Sequence, residues 1–310
     1  MPSSTSSSDK SGLPTTGYGR QWVITVCLLA LLLAGAELYW RHRGFQPNIV
    51  DTEMLWSIHR DQVYGEKKIV IIGASRAQTG IDPEILEQTF PGYDVVHLAI
   101  AGTRPYYILK DLAEDPDFTG IILAGMKSTW FLPSTHEWTK PWVDFYRDKY
   151  GQPAHLEEQV ATRIRVFLQE YFVIFSSELT FRKLAALREP IRPSPQYMKS
   201  NRFDPGFYNK MQSSDRLEVI RRQKGAWALR TLSKATERHL QIFQRAVTQD
   251  IAGLHNQLKQ RGGALILIRM PSSGEYWQAE ERGYPKQRFW DNIEAWSGIP
   301  TVHFKDYPEL

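Results

Sequence analysis

KKIVIIGASR, residues Lys67 to Arg76, decides the fold. Ile69 to Ile72 within it is a short, unbroken apolar run that ends at Gly73, the pattern of a central strand buried on both faces of a parallel sheet. Just beyond it, Asp82-Pro83-Glu84 starts a helix: Asp as N-cap, Pro at the first helical position, Glu in the first turn. That helix runs to about Phe90 and stops at Pro91-Gly92. Asp94 to Ile100 (DVVHLAI) reads as the second strand, Pro105 to Ala113 as the next helix, and Gly120 to Ala124 (GIILA) as the third strand. Strands alternating with helices imply an α/β domain, a parallel sheet covered by helices on both faces.

The next strand comes only at Ala264 to Arg269 (ALILIR), after Gly262-Gly263. A fifth, Pro300 to Phe304, follows a helical segment around Phe289 to Ser297. Strands three and four are separated by about 140 residues, far more than a crossover needs. This predicts a helical insertion at about 140–260, with helices over Leu156 to Arg188 and Leu217 to Lys259 and a Pro-rich break around Pro190 to Pro205. Within it, residues 160–187 mix Phe167, Tyr171, Phe172 and Phe175 with Arg163, Arg165, Arg182 and Lys183. Two readings stand: an amphipathic helix packed on the domain, or an interfacial or partner-docking helix, since a cationic face beside an aromatic one suits a membrane surface.

Residues 1–20 are rich in Ser, Thr, Gly and Pro and cannot bury enough apolar surface to fold, so they read as a disordered tail. Trp22 to Trp40 (WVITVCLLALLLAGAELYW) then carries one charge, Glu37. Nineteen helical residues span roughly 28 Å, close to the hydrocarbon thickness of a bilayer. Trp22, Tyr39 and Trp40 suit the interfaces, and Arg20, Arg41 and Arg43 bracket the run. Residues 21–40 are therefore expected to form a transmembrane signal anchor that contacts the bilayer through 22–40. Ala34-Gly35-Ala36 has the form of a cleavage site, but the long polar stretch before the apolar run and its continuation past the site favour an uncleaved anchor. Lys10 and Arg20 before the span, and Arg41 and Arg43 after it, code orientation weakly. Residues 41–66 read as a connecting stalk with a short helix around Met54 to Arg60.

Composition excludes several functions. The net charge is +4 with cations spread along the chain, which argues against a nucleic-acid groove. The single cysteine, Cys27, lies inside the span and excludes an intrachain disulfide or a Cys-rich zinc module. No His, Asp and Glu stand at metal-ligand spacing, so neither metal nor cofactor is expected. The glycines around Ser75 fit neither GxGxxG nor GxxxxGK[ST], which argues against a nucleotide-binding domain.

Ligands of open parallel sheets bind at the carboxyl ends of the strands. The first strand delivers Gly73-Ala74-Ser75-Arg76 there. Ser75 then stands at a helix start, where backbone N–H groups favour negative charge; it reads either as a nucleophile or simply as an N-cap. Gly102, after the second strand, either brings a backbone N–H to the same place or is a plain turn. Arg76, Arg104 and Arg269 lie on that edge as candidate ligands for an anionic substrate, with local salt bridges as the alternative. His136, among Trp130, Phe131, Trp138 and Trp142, lies in a loop that either lines a substrate groove or packs on itself. His97 reads as a packed strand residue, and His303, a facing residue of the fifth strand, reads either as a candidate base or as a packed side chain.

IVIIGASR with TGID behind it, VVHLAIAGT and GIILAG, in this order, resemble the SGNH (GDSL-type) hydrolase family over residues 67 to 126. ALILIRMPSSG and HFKDYPEL extend the resemblance loosely to residue 310. More narrowly, the chain resembles the bacterial subset with one N-terminal membrane helix, which acts beside membrane-bound O-acyltransferases on cell-surface polysaccharides or teichoic acids. The resemblance implies a three-layer, flavodoxin-like parallel sheet over residues 67–310, with Ser75 as nucleophile and Gly102 as an oxyanion donor. It also implies an acylated or glycan substrate, an O-acyltransferase partner, and a single-pass protein of the bacterial inner membrane with its domain outside the cytoplasm. Two family blocks depart: Gly125-Met126-Lys127-Ser128 stands where the family has an Asn, and no Asp-x-x-His follows the fifth strand. Asp306 has Glu309, not His, three residues on. These departures lead to the expectation that the chain is truncated at its C-terminus. They leave two functional expectations, an esterase or O-acyltransferase and an inactive accessory subunit.

Overall fold

The computed structural model describes residues 18–131, 139–179, 193, 197–205, 215–232 and 234–308. The chain enters through helices α1 (Tyr18–His42) and α2 (Glu53–Arg60) and reaches strand β1 (Lys68–Ile72). Helices α3 (Ser75–Gly80) and α4 (Pro83–Thr89) lead to β2 (Asp94–His97), and α5 (Tyr106–Glu114) leads to β3 (Ile121–Gly125). The insertion holds α6 (Lys140–Phe145), α7 (Leu156–Tyr171), α8 (Asp215–Thr231), α9 (Glu237–Arg245) and α10 (Ala252–Gln260). Strand β4 (Ala264–Arg269), helices α11 (Gly274–Gly283) and α12 (Ile293–Ser297), and strand β5 (Thr301–His303) follow.

All five strands are parallel, in the order β2-β1-β3-β4-β5. This is the order of flavodoxin-like doubly wound sheets. Successive strand residues face opposite sides of the sheet. Val70, Ile72, Val96, Ile122, Ala124, Leu265 and Leu267 enter one large core with α5, α9 and α10, whereas Ile71 packs with Ala77 and Ala99 on the other side. Burial on both sides explains why β1 reads as a continuous apolar run. The start of α4 follows its sequence: Asp82 caps it by accepting the Glu84 N–H at 2.9 Å, with Pro83 at the first helical position.

Two expectations need correction. Residues 41–66 are not a free stalk. Phe45, Ile49, Met54, Leu55, Trp56, Ile58 and Val63 are buried, and Trp56 joins the main core while its indole N–H donates to the Leu98 carbonyl at 3.0 Å. Arg60, also buried, donates to Asp111 and to Asp115 at 2.6 Å each and so ties α2 to α5. The helix expected to start at Leu156 stops at Tyr171, because the Glu37 carboxylate of α1 takes the Val173 and Ile174 N–H groups at 3.0 and 3.1 Å and the chain turns extended at Phe172. Residues 180–188 of that expected helix lie outside the described residues. The stretch from Leu217 to Lys259 is helical as expected, with a break where Thr236 caps α9 in a reciprocal pairing with His239.

The polypeptide around residue 202 docks beside β2. Arg202 is fully buried at φ +63° and pairs twice with Asp51, at 3.0 and 2.7 Å. It also donates to the carbonyls of His97 and Ala99 at 2.7 and 3.2 Å. Burial first, and then the Arg202 charge, pull the pKa values of His59 and His97 down to about 3.

Two outcomes follow. Trp56→Ala is expected to destabilise the whole α/β domain by about 3–5 kcal/mol, read as a lower urea midpoint; a stalk tryptophan would leave the midpoint unmoved. The unfolded chain protonates its histidines below about 6.5, while His59 and His97 resist protonation down to about 3. Stability is therefore expected to fall as pH drops from about 6.5 towards 3, and His97→Gln to flatten that fall.

Candidate functional site

The site grows from a steric constraint at the end of β1. Gly73 has φ +151°, and a Cβ on it would stand 2.6 Å from the Ala77 Cβ and 3.3 Å from the Gly125 carbonyl oxygen. Only glycine fits, so the chain turns there, and Ser75 becomes the first residue of α3. In this strand order β1 and β3 flank the point where the winding reverses, which is where open α/β sheets bind ligands. Ser75 leaves β1 and Lys127 leaves β3, each two residues past its glycine, at that point.

A compact polar cluster occupies the adjoining edge. Ser272, after β4, accepts from Arg76 and, at 2.8 Å, from Arg269; its own hydroxyl donates to Glu280 at 2.9 Å. Arg269 also pairs directly with Glu280, and Lys127 lies 3.4 Å from the other oxygen of that carboxylate. Lys127 donates to the Tyr276 hydroxyl at 2.6 Å, and its ammonium and the Arg76 guanidinium lie over the Tyr276 ring at 4.7 and 4.9 Å from its centre. Two cations thus share one carboxylate, and Arg76 reaches it through Ser272. Burial above all pulls the Lys127 pKa down to about 7; Glu280 opposes this, and Arg76 and Arg269 add to it. A small space of about 20 Å³, room for about one water-sized group, adjoins the cluster; Lys127, Arg269, Glu280 and His303 line it, and Ser75 and Arg76 do not. Such an edge can hold an anionic group or offset negative charge developing on a reacting oxygen.

The structure brings some of the expected residues together and separates others. Arg76 and Arg269 meet through Ser272, beside Ser75. Gly102, exposed at φ +77°, and Arg104 lie on the β2 side, where Thr139 Oγ donates to the Arg104 carbonyl at 2.9 Å. His136 lies outside the described residues. The Ser75 carbonyl accepts from Thr79 at 2.9 Å, while its hydroxyl has no hydrogen-bond partner among the described residues. His303 is buried among Trp277, Trp290 and Phe304 and accepts the Lys305 N–H at Nδ1 at 3.1 Å. Burial, then Arg269 and Lys286, lower its pKa to about 4. It is a packed, neutral imidazole rather than a base placed on Ser75. Sequence reasoning missed Lys127 as a site residue, and Ser272, Tyr276 and Glu280 altogether. The last two sit on α11, one turn apart, and only the spacing of Tyr276 and Glu280 at i and i+4 after a strand hinted at a shared face.

No family model matches the chain, and no curated protein or solved structure matches it.

The folded chain must hold Lys127 charged against burial below about pH 7, whereas the unfolded chain keeps its lysine charged to about 10.5. The unfolded state binds more protons between these values, so this cost is full below pH 7 and is relieved as pH rises. Lys127→Met is expected to raise thermal stability at pH 6, by at least about 1 kcal/mol, and the gain to vanish by pH 10. Scanning calorimetry at the two pH values checks it.

Proposed function

We propose that the chain is a membrane-anchored SGNH-like esterase or O-acyltransferase that acts on an acylated cell-envelope glycan. The observation that carries this reading is the position of Ser75: partly exposed, at the winding-reversal point of the sheet, beside a cluster with surplus positive charge. In this reading the Ser75 Oγ attacks an acyl carbonyl, and the C–O bond to the glycan breaks as the leaving oxygen takes up the serine proton. Water or an acceptor hydroxyl then takes the acyl group from Oγ and returns a proton. The backbone N–H groups of Ser75 and Gly102 hold the oxyanion, and Arg76 and Lys127 favour an anionic substrate such as an acidic sugar or phosphodiester polymer. The domain works outside the cytoplasm of a bacterium, at the inner membrane, next to a membrane-bound O-acyltransferase.

A second reading is supported by one specific feature: the Ser75 hydroxyl has no histidine bonded to it among the described residues. A serine working without its base loses on the order of 10⁴-fold in rate or more. On that reading the domain is an inactive accessory subunit that binds the acyltransferase or the glycan through the same edge. A fluorophosphonate probe separates the two. The enzyme reading expects labelling of the full chain that Ser75→Ala abolishes; equal, Ser75-independent signal in both proteins supports the accessory reading.

A further inference from the structure

Helix α7 is built inside out. Numbered around its axis at roughly 100° per residue, Leu156, Val160, Ile164, Phe167 and Tyr171 fall within about 80° of one another. All five are 50–61 % exposed. On the opposite side, polar Thr162 and Gln169 are the buried residues, and Gln169 is fastened at both ends of its amide, accepting from Val50 N at 3.3 Å and donating to the Phe175 carbonyl at 3.1 Å. The helix therefore turns its polar side to the protein and its apolar side outward. Phe172 and Phe175, also exposed, extend the stripe past the helix end. A contiguous apolar face of this kind on a soluble surface marks an interaction site.

The anchor says what covers it. The stripe ends where α1 emerges: Glu37 accepts the N–H groups of Val173 and Ile174, and Arg41 donates to the Tyr171 carbonyl at 2.8 Å. Glu37 lies five residues before the end of α1, so residues 171–174 are held about 7.5 Å below that end. None of α1 is buried, and Tyr39 and Trp40 stand at the same level as the clamp. With α1 across a bilayer, that level is the headgroup region, and the aromatic end of the stripe is already in it. Arg43 and Arg163, both exposed, supply cations suited to anionic headgroups.

We infer that α7 and the Phe172–Phe175 turn lie in the lipid interface, with Leu156, Val160, Ile164, Phe167 and Tyr171 at the boundary between headgroups and acyl chains. The occupant of this face is lipid, not a partner protein. The inference goes beyond the reaction at Ser75 and is independent of it; it rests on α1 crossing the bilayer.

The test uses the full chain with Cys27→Ser, reconstituted at low protein-to-lipid ratio in vesicles containing phosphatidylglycerol. Nitroxide labels are placed singly at Ile164→Cys, Phe167→Cys, Arg165→Cys and, in the span, Leu31→Cys. Expected is a several-fold lower collision rate with a water-soluble nickel chelate at 164 and 167 than at 165, with high oxygen accessibility at both. Chelate accessibility at 164 and 167 equal to that at 165, with 31 in lipid, overturns the inference and leaves the anchor intact. Aqueous behaviour at 31 as well overturns both. Labels at 164 and 167 shielded from oxygen and chelate alike overturn it in favour of a protein partner.

Discussion

The backbone has almost no room where β1 ends, and much of the architecture follows from that. Gly73 sits against Gly125, and even a methyl group on either would press on Ala77, at 2.6 Å from Gly73 and 3.0 Å from Gly125. Two side-chain-free residues on neighbouring strands let α3 settle directly on the boundary between β1 and β3. Because Ile72 pairs with Ala124, the glycines also keep the two strand ends in register as they leave the sheet. Ser75 and Lys127 both leave the sheet at that boundary, one at the start of a helix and one in the loop after β3. Any larger residue at 73 would have to move α3, and with it Ser75.

The second organising feature is electrostatic. Glu280 is the carboxylate that Lys127 and Arg269 share, and it reaches Arg76 through Ser272. Buried charges are costly, and leaving one partner unpaired costs several kcal/mol, so a cluster with more cations than carboxylates opposes folding. The contrast with Arg60 is instructive: it meets two carboxylates, Asp111 and Asp115, and is fully compensated. Compensated charge joins α2 to α5; surplus charge stands at the edge where ligands of such sheets bind. Surplus charge with a lowered lysine pKa at a sheet edge marks a candidate site; structural ion-pair networks can carry the same mark.

Local pattern explains what was legible in the sequence. Ile69 to Ile72, Ile121 to Ala124 and Leu265 to Ile268 are buried on two sides and announce themselves as apolar runs; Asp82-Pro83 announces a helix start through short-range capping. Ser75, Arg76 and Arg269 were legible as edge residues because they directly follow or end strands. What failed to show depends on contacts between residues far apart in the chain. The burial of Trp56 depends on Leu98, the end of α7 on Glu37 136 residues earlier, and the docking of Arg202 on Asp51. Residues 41–66 looked like a stalk because their apolar residues are scattered among charges, and only the fold shows that Arg60, Asp51 and His59 are themselves interior or bonded inward. Glu280 was hidden for the same reason: a glutamate in an amphipathic helix has no local mark that distinguishes a solvated carboxylate from one that pairs with two cations.

These long-range contacts also fix how the domain relates to its first helix. A flexible tether of 26 residues would let the domain wander over roughly 28 Å. Here the exit of α1 is held by Glu37 and Arg41, Phe45 packs with Val173 and Leu179, and Asp51 both pairs with Arg202 and accepts from the Gln78 amide at 3.4 Å. Gln78 lies in α3, less than one turn from Ser75. Asp51 is nine residues beyond His42, a stretch of at most about 32 Å when fully extended. With α1 in a bilayer, Ser75 therefore stays within a few tens of ångströms of the lipid surface, on a rigid mount. The same contacts fix the apolar side of α7 relative to the exit of α1.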